Sequence, residues 1–209
     1  MNKQEPGMRW NPGTGFTYAG GIAILSITAA SAMFPNYSSR YDAISDLGGT
    51  GATTEVFWNA CVIIVGILWI WSSYLFFRIE KRKFSSKFFY LAGIGFILVG
   101  TSPWNVYPFT HYIGAQLIFI FGVLSCLTAS RIAIGTMSRL SVIAGLASFG
   151  SYLSGYLGMY NILGPGGLER MIYYPILLWI IAFGGYISHR YQDANNLNEI
   201  LRDPKLTLP

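Results

Sequence analysis

The sequence predicts an all-α protein, a polytopic membrane helix bundle with about six transmembrane helices and a short outer interfacial helix. Three observations carry that prediction. Only 11% of the 209 residues are charged, 53% are hydrophobic and the mean hydropathy is +0.44, whereas soluble domains are roughly 25% charged. The apolar residues fall into six runs near the ~20 residues that cross ~30 Å of hydrocarbon as a helix, the form that satisfies its own backbone hydrogen bonds. The basic residues collect at alternate ends of those runs, as the positive-inside rule requires.

The runs are residues 16–34, 57–77, 88–101, 112–130, 138–160 and 171–187. The third is short and is extended back to Phe84, with Lys87 carrying its ammonium to the interface along an apolar stem. The expected organisation is a cytoplasmic tail at 1–15, a transmembrane domain at 16–187 and a second cytoplasmic tail at 188–209. Arg78, Lys81, Arg82, Lys83 and Lys87 lie between the second and third runs, and Arg131 and Arg139 between the fourth and fifth. Lys3 and Arg9 precede the first run, while Arg190, Arg202 and Lys205 follow the sixth. Only Arg40 and Arg170 fall on the other side, which places both termini in the cytoplasm and the 36–59 loop outside. The net charge of +5 is therefore a topology signal. The basic residues hug membrane boundaries and match no nucleic-acid motif, so membrane lipids are the expected partners and nucleic acid is not.

Along the chain, Asn11-Pro12-Gly13 reads as a breaker before the first helix. The first run ends in Ala30-Ser31-Ala32, which imitates a signal-peptide cleavage site, but it is read as a retained transmembrane helix. Its Gly20, Gly21, Ala23, Ser26, Ala29 and Ala30 are small and let another helix approach closely.

The 36–59 segment gathers Arg40, Asp42, Asp46 and Glu55, four of the chain's few charges. Asn36-Tyr37-Ser38 fits the glycosylation sequon. Ser39-x-x-Asp42 has the form of a capping box and predicts a helix over about 40–47, with Tyr41, Ile44 and Leu47 on one side and Asp42, Ser45 and Asp46 on another. Thr53 and Thr54 are candidate N-caps for the second helix. Glu55 and Asn59, four apart, share its face, with Asn59 turned into the bundle to avoid lipid. The glycine-rich run lacks the Gly-Lys-Ser/Thr of a phosphate loop.

Cys61 and Cys126 are expected at different depths and unpaired. Residues 101–108 form an uncharged outer loop with Trp104 and Tyr107 in the aromatic belt and Asn105 between them. His111 opens the fourth helix at that level, and without a second outer histidine it forms no zinc pair. The fifth helix carries Ala147, Ser151 and Gly155, with Ser154 and Gly158, as a small-residue packing ladder, with a substrate groove as the competing reading, and it also offers a face for protein partners or a homo-oligomer. Residues 161–167 read as a turn before Glu169-Arg170. Arginine opposes the dipole at a helix N-terminus, so Arg170 is expected to pair with Glu55, Asp42 or Asp46. The helix middles are read as offering only Ser, Thr, Cys and Gly, which disfavours ion transport.

Tyr37-Ser38, Ile44-Ser45-Asp46-Leu47-Gly48, Phe57-x-Asn59, Gly100-x-x-Pro103, His111, Gly167-x-Glu169-Arg170, Tyr174-Pro175 and Trp179 resemble the six-helix membrane family known as domain of unknown function 998. The resemblance runs from about Phe16 to Ile187. It implies that the shared polar residues Ser45, Asp46, Asn59, His111, Glu169 and Arg170 fall on the outer face. The family is distantly similar to six-helix proteins that include a lipid-remodelling factor for GPI anchors, which implies a link to lipids through fold alone.

The expected site is one outer polar pocket formed by Arg40, Asp42, Ser45, Asp46, Glu55, Asn59, Trp104, Asn105, His111, Glu169 and Arg170. In it Arg170 and Arg40 would fork onto a phosphate or carboxylate, binding a lipid headgroup or a small polar or anionic ligand with no cofactor or metal. Competing readings are a structural subunit or assembly factor, a transporter of a neutral or lipidic substrate, and a lipid or ester hydrolase. The hydrolase would use Ser45 as nucleophile, His111 as base and Asp46 or Asp42 as its orienter.

Overall fold

The computed structural model describes residues 11–79 and 83–202. Among these there is no β-strand. The helices are α1 (Pro12–Met33), α2 (Glu55–Ile79), α3 (Lys83–Thr101), α4 (Pro108–Ala129), α5 (Gly135–Ser154) and α6 (Tyr160–Arg202), with a short 3₁₀ helix (Ile44–Gly48) between α1 and α2 and a π-type turn (Gly155–Met159) after α5. Five stretches, in α1, α2, α4, α5 and α6, are long and apolar enough to cross a membrane; α3 supplies a shorter apolar stretch, Ser86–Thr101. Consecutive helices pack on one another, and α6 returns to α1 to close the bundle.

The first helix starts earlier than the sequence predicts. Asn11 is its N-cap, its side-chain oxygen accepting the Gly13 N–H at 2.9 Å, and Pro12 occupies the first turn, where a missing N–H costs nothing. Asn11 also donates to the Ser188 carbonyl on α6 at 3.1 Å. Residues 12–15 are thus helix rather than tail.

Aromatic rings fill the centre. Phe16, Trp69, Phe89, Phe96, Trp179 and Phe183 are almost wholly buried, with ring centroids 5.0 Å apart for Trp179–Phe183 and 5.3 Å for Phe16–Phe89. Between spanning helices such packing replaces the hydrophobic drive that lipid removes.

The α5–α6 seam differs from the predicted ladder. The buried small residues of α5 are Ser141, Ala144, Gly145 and Ser148. Ser148 Oγ donates to the Ile172 carbonyl at 2.7 Å, and Trp179 Nε1 donates to Ser141 Oγ at 2.8 Å. Ala147 is exposed, and Ser151 and Ser154 bond back to carbonyls of their own chain stretch, at Ala147 and Ser151. Hydroxyls that find a partner on α6 set the rotation of α5. Cys61 and Cys126 are both free thiols.

The expected turn at 161–167 is helical apart from a break at Gly164, whose φ of +72° only glycine adopts readily. A Cβ there would stand 2.1 Å from the Arg40 carbonyl oxygen, so the α6 entrance lies directly against the 36–54 segment. At the other end α6 continues past Ile187, where His189 Nε2 lies 3.4 Å from Asp193 one turn on.

Candidate functional site

The segment between α1 and α2 closes on itself first. Asp42 accepts the Ser38 N–H at 2.6 Å, and the Asp42 N–H bonds the Ser38 carbonyl at 2.8 Å. This is a carboxylate-closed turn, and the helix expected over 40–47 is replaced by it and by the 3₁₀ helix that follows. Asp46 accepts the Ala43 N–H at 2.7 Å at that helix's start. With three residues per turn, Ile44 and Leu47 fall on one side. Both are buried, and Tyr41 is exposed.

Thr54 directly precedes α2, and its carbonyl takes the Trp58 N–H at 2.8 Å. Its hydroxyl donates to the Leu47 carbonyl at 2.7 Å, and Asn59 Nδ2 donates to the Gly48 carbonyl at 3.0 Å, so two polar side chains hold the carbonyl end of the 3₁₀ helix. Glu55, in the first turn of α2, takes the Gly51 N–H at 2.8 Å and the Thr50 hydroxyl at 3.1 Å. Asn105 makes a two-bond clamp with the Thr50 backbone, accepting its N–H and donating to its carbonyl, both at 2.9 Å.

The α6 entrance fastens to the same segment. The Arg40 guanidinium donates to the Ile162 carbonyl at 2.8 Å, and the Arg40 carbonyl accepts the Gly166 N–H at 3.1 Å. Arg170 does not take the carboxylate partner expected of it. Its Nη1 donates to the carbonyls of Ser39 at 3.0 Å and Gly166 at 2.9 Å, with Asp42 at 3.5 Å, while Nη2 donates to the Tyr37 hydroxyl at 2.6 Å. The guanidinium also lies over the Tyr37 ring, 5.4 Å from its centroid. Turn carbonyls without an N–H partner are suitable acceptors, and the carboxylates are already engaged by backbone N–H groups. Glu169 points the other way and accepts the Ile44 N–H.

His111 is buried, and its Nδ1 lies 2.8 Å from the Ser102 carbonyl. A carbonyl only accepts, so Nδ1 carries the proton and a neutral ring presents Nε2 as an acceptor. The orienter of this imidazole is a backbone carbonyl and not Asp46 or Asp42.

Beneath the 3₁₀ helix a cavity of about 30 Å³ brings together Ser45, His111, Glu169 and Tyr173, with Trp58 and Phe119 among its apolar walls. That volume matches about one water molecule. Of the expected pocket residues, Ser45, His111 and Glu169 meet here; Arg40, Asp42, Glu55, Asn59, Asn105 and Arg170 tie the segments at this end of the bundle together. Burial, with the nearby Asp42 charge, raises the Asp46 carboxyl above its usual 3.8, and burial raises the Tyr37 hydroxyl although Arg170 opposes the shift. No group of three or more His, Cys, Asp or Glu suited to a metal ion occurs among the described residues.

The family model described as "Protein of unknown function (DUF998)" matches residues 17–186. The chain belongs to the DUF998 family. No curated protein and no solved structure matches it. In this DUF998 protein the matched region contains every residue of the cavity and of the interlock around it.

Sequence reasoning missed several participants. Tyr173 lies one turn after Glu169 and its place on that face was available from the spacing. Ser102 acts through its carbonyl, which has no sequence signature. Gln116 was overlooked among the helix middles; it sits two turns into α4 and accepts the Tyr152 hydroxyl at 2.6 Å.

Proposed function

We propose that this DUF998 protein is a multi-pass protein of the cell membrane, with both termini cytoplasmic. In the cavity beneath the 3₁₀ helix its outer end binds the hydrogen-bond-donating end, hydroxyl or amine, of a small polar ligand or lipid headgroup. The supporting observation is His111, which lines the cavity beside Ser45 and Glu169 and whose Nδ1 is held by the Ser102 carbonyl. A neutral ring held in this way offers Nε2 as an acceptor, and a donor entering beside Ser45 and Glu169 would meet it. The groups around the cavity are acceptors and hydroxyls, so the anionic ligand is moved out of this pocket. The distribution of basic residues supports the orientation.

The structural reading is favoured by one observation, the interlock itself, in which Asp42, Asp46 and Glu55 close local turns of the 36–59 segment while Arg40, Glu169 and Arg170 bond backbone atoms across to the other segment. The two readings part on ligand response. The chain has two histidines, so ¹⁵N-histidine NMR of the purified protein resolves His111, with exposed His189 as internal control. Titration with ethanolamine and with glycerol is expected to shift the His111 Nε2 signal saturably and leave His189 unmoved, with a weaker response in Glu169→Gln. A His111 signal that follows neither probe in folded protein rejects the binding role and leaves the interlock as the function of these residues.

A further inference from the structure

A second concavity lies on the opposite side of α6 from the cavity. Between α5 and α6 an open groove of about 590 Å³ is walled by Leu140, Ile143, Ala147, Met171, Tyr174 and Leu178, among other apolar residues, and Arg170 is the one charged side chain that lines it. The volume falls within the ~300–1,000 Å³ of ligand sites. The two helices run antiparallel, since Ser148 meets Ile172 and Ser141 meets Trp179. Leu140 and Leu178 therefore share the deep end, and Arg170 stands at the shallow end, about 12 Å from Leu178 at the helical rise of 1.5 Å per residue.

Two features select an occupant. In hydrocarbon no water fills a groove, and walls left without neighbours forfeit their dispersion contacts, so a flexible linear chain is the natural filler. At the rim, Arg170 makes no ion pair with any carboxylate among the described residues. Its Nη1 is shared among three carbonyls and one Nη2 proton goes to Tyr37, which leaves Nε–H and the second Nη2 proton. The neighbouring carboxylate, Glu169, is turned to the Ile44 amide on the cavity side. A guanidinium held by neutral carbonyls keeps its full charge, and its planar fork suits phosphate oxygens.

We propose that the α5–α6 groove binds one anionic glycerophospholipid, with an acyl chain lying from Met171 toward Leu178 and Leu140 and the phosphate at Arg170. This site is separate from the His111 cavity and does not depend on it.

The test uses full-chain protein in detergent with dioleoyl phosphatidylglycerol, dioleoyl phosphatidylcholine and water-soluble glycerol 3-phosphate as probes, read by native mass spectrometry and thermal shift. One phosphatidylglycerol is expected to be retained about tenfold more tightly than phosphatidylcholine, with a raised Tm, and glycerol 3-phosphate is expected not to compete. Ala147→Trp fills the groove from an exposed position and should remove the preference while leaving the lipid-free Tm and the His111 NMR signal unchanged. Arg170→Lys should reduce the preference, because an ammonium lacks the fork. Equal retention of the two lipids overturns the proposal, as does a preference that survives in Ala147→Trp. So do full competition by glycerol 3-phosphate and a dimer that Ala147→Trp abolishes, which would make the groove a protein interface.

Discussion

Backbone N–H groups take up the acidic side chains of the 36–59 segment: Asp42 serves Ser38, Asp46 serves Ala43 and Glu55 serves Gly51, while Glu169 crosses from α6 to Ile44. Charge-assisted bonds of this kind are roughly twice as strong as neutral ones, and they leave the arginines to the carbonyls. Asp46 gives this arrangement a pH signature. Burial disfavours its charged form, so the folded protein keeps the proton at pH values where the unfolded chain has lost it. The contribution of Asp46 to stability is then fully present below the ordinary carboxyl value of 3.8 and is lost as pH rises through the raised folded value. Asp46→Asn retains an acceptor for the Ala43 N–H and removes the charge. Its Tm, followed from about pH 3.5 to 6.5 in detergent, should be flatter than that of the parent across that window. An unchanged slope would assign the pH dependence to other carboxyls.

Besides the aromatic centre, the elements meet through hydroxyl bonds on the α5–α6 seam and through close backbone approach between α3 and α4. A Cβ at Gly95 would stand 2.6 Å from the Gly114 carbonyl oxygen, and one at Gly114 would stand 2.9 Å from the Gly95 oxygen. The two backbones approach closely at this crossing, so Gly95→Ala must push the two helices apart. Overpacking of that kind costs about 1–3 kcal/mol, and at about 2–4 °C per kcal/mol for a chain of this size the Tm should drop by several degrees. Gly21→Ala is the control. A Cβ at Gly21 meets nothing within 4 Å, and the substitution improves helix propensity, so its Tm should hold or rise slightly. Equal losses in both variants would show that the α3–α4 contact is not the cause. The short 3₁₀ helix follows the same economy: three residues per turn bring Ile44 and Leu47 onto the bundle, where an α-helix begun at Arg40 would have had to bury Tyr41 as well.

For the whole molecule, the proposed orientation puts the 3₁₀ helix and the α4 entrance outside and the α4–α5 connection inside. With Cys61→Ser and Cys126→Ala removing the native thiols, Thr53→Cys should react with an impermeant maleimide on intact cells and Thr136→Cys only after permeabilisation. The reverse pattern would invert the topology and the cavity's side with it. Helix number, the shortness of α3 and the collection of polar groups at one end were readable from the chain, because run length and local polarity are local quantities, whereas α6 extends well beyond the expected 171–187 at both ends. The inward turn of Asn59 was readable too, since a carboxamide in lipid has no other economical place. By contrast, the Ser102 carbonyl that holds His111, the carbonyls that hold Arg170, the rotation of α5 onto Ser141 and Ser148, and the separation of Glu169 in a cavity from Arg170 on a groove were decided by the tertiary structure. A backbone carbonyl carries no residue-type signal, and which face of an apolar helix turns inward depends on the shape of its neighbours, which no stretch of sequence states by itself.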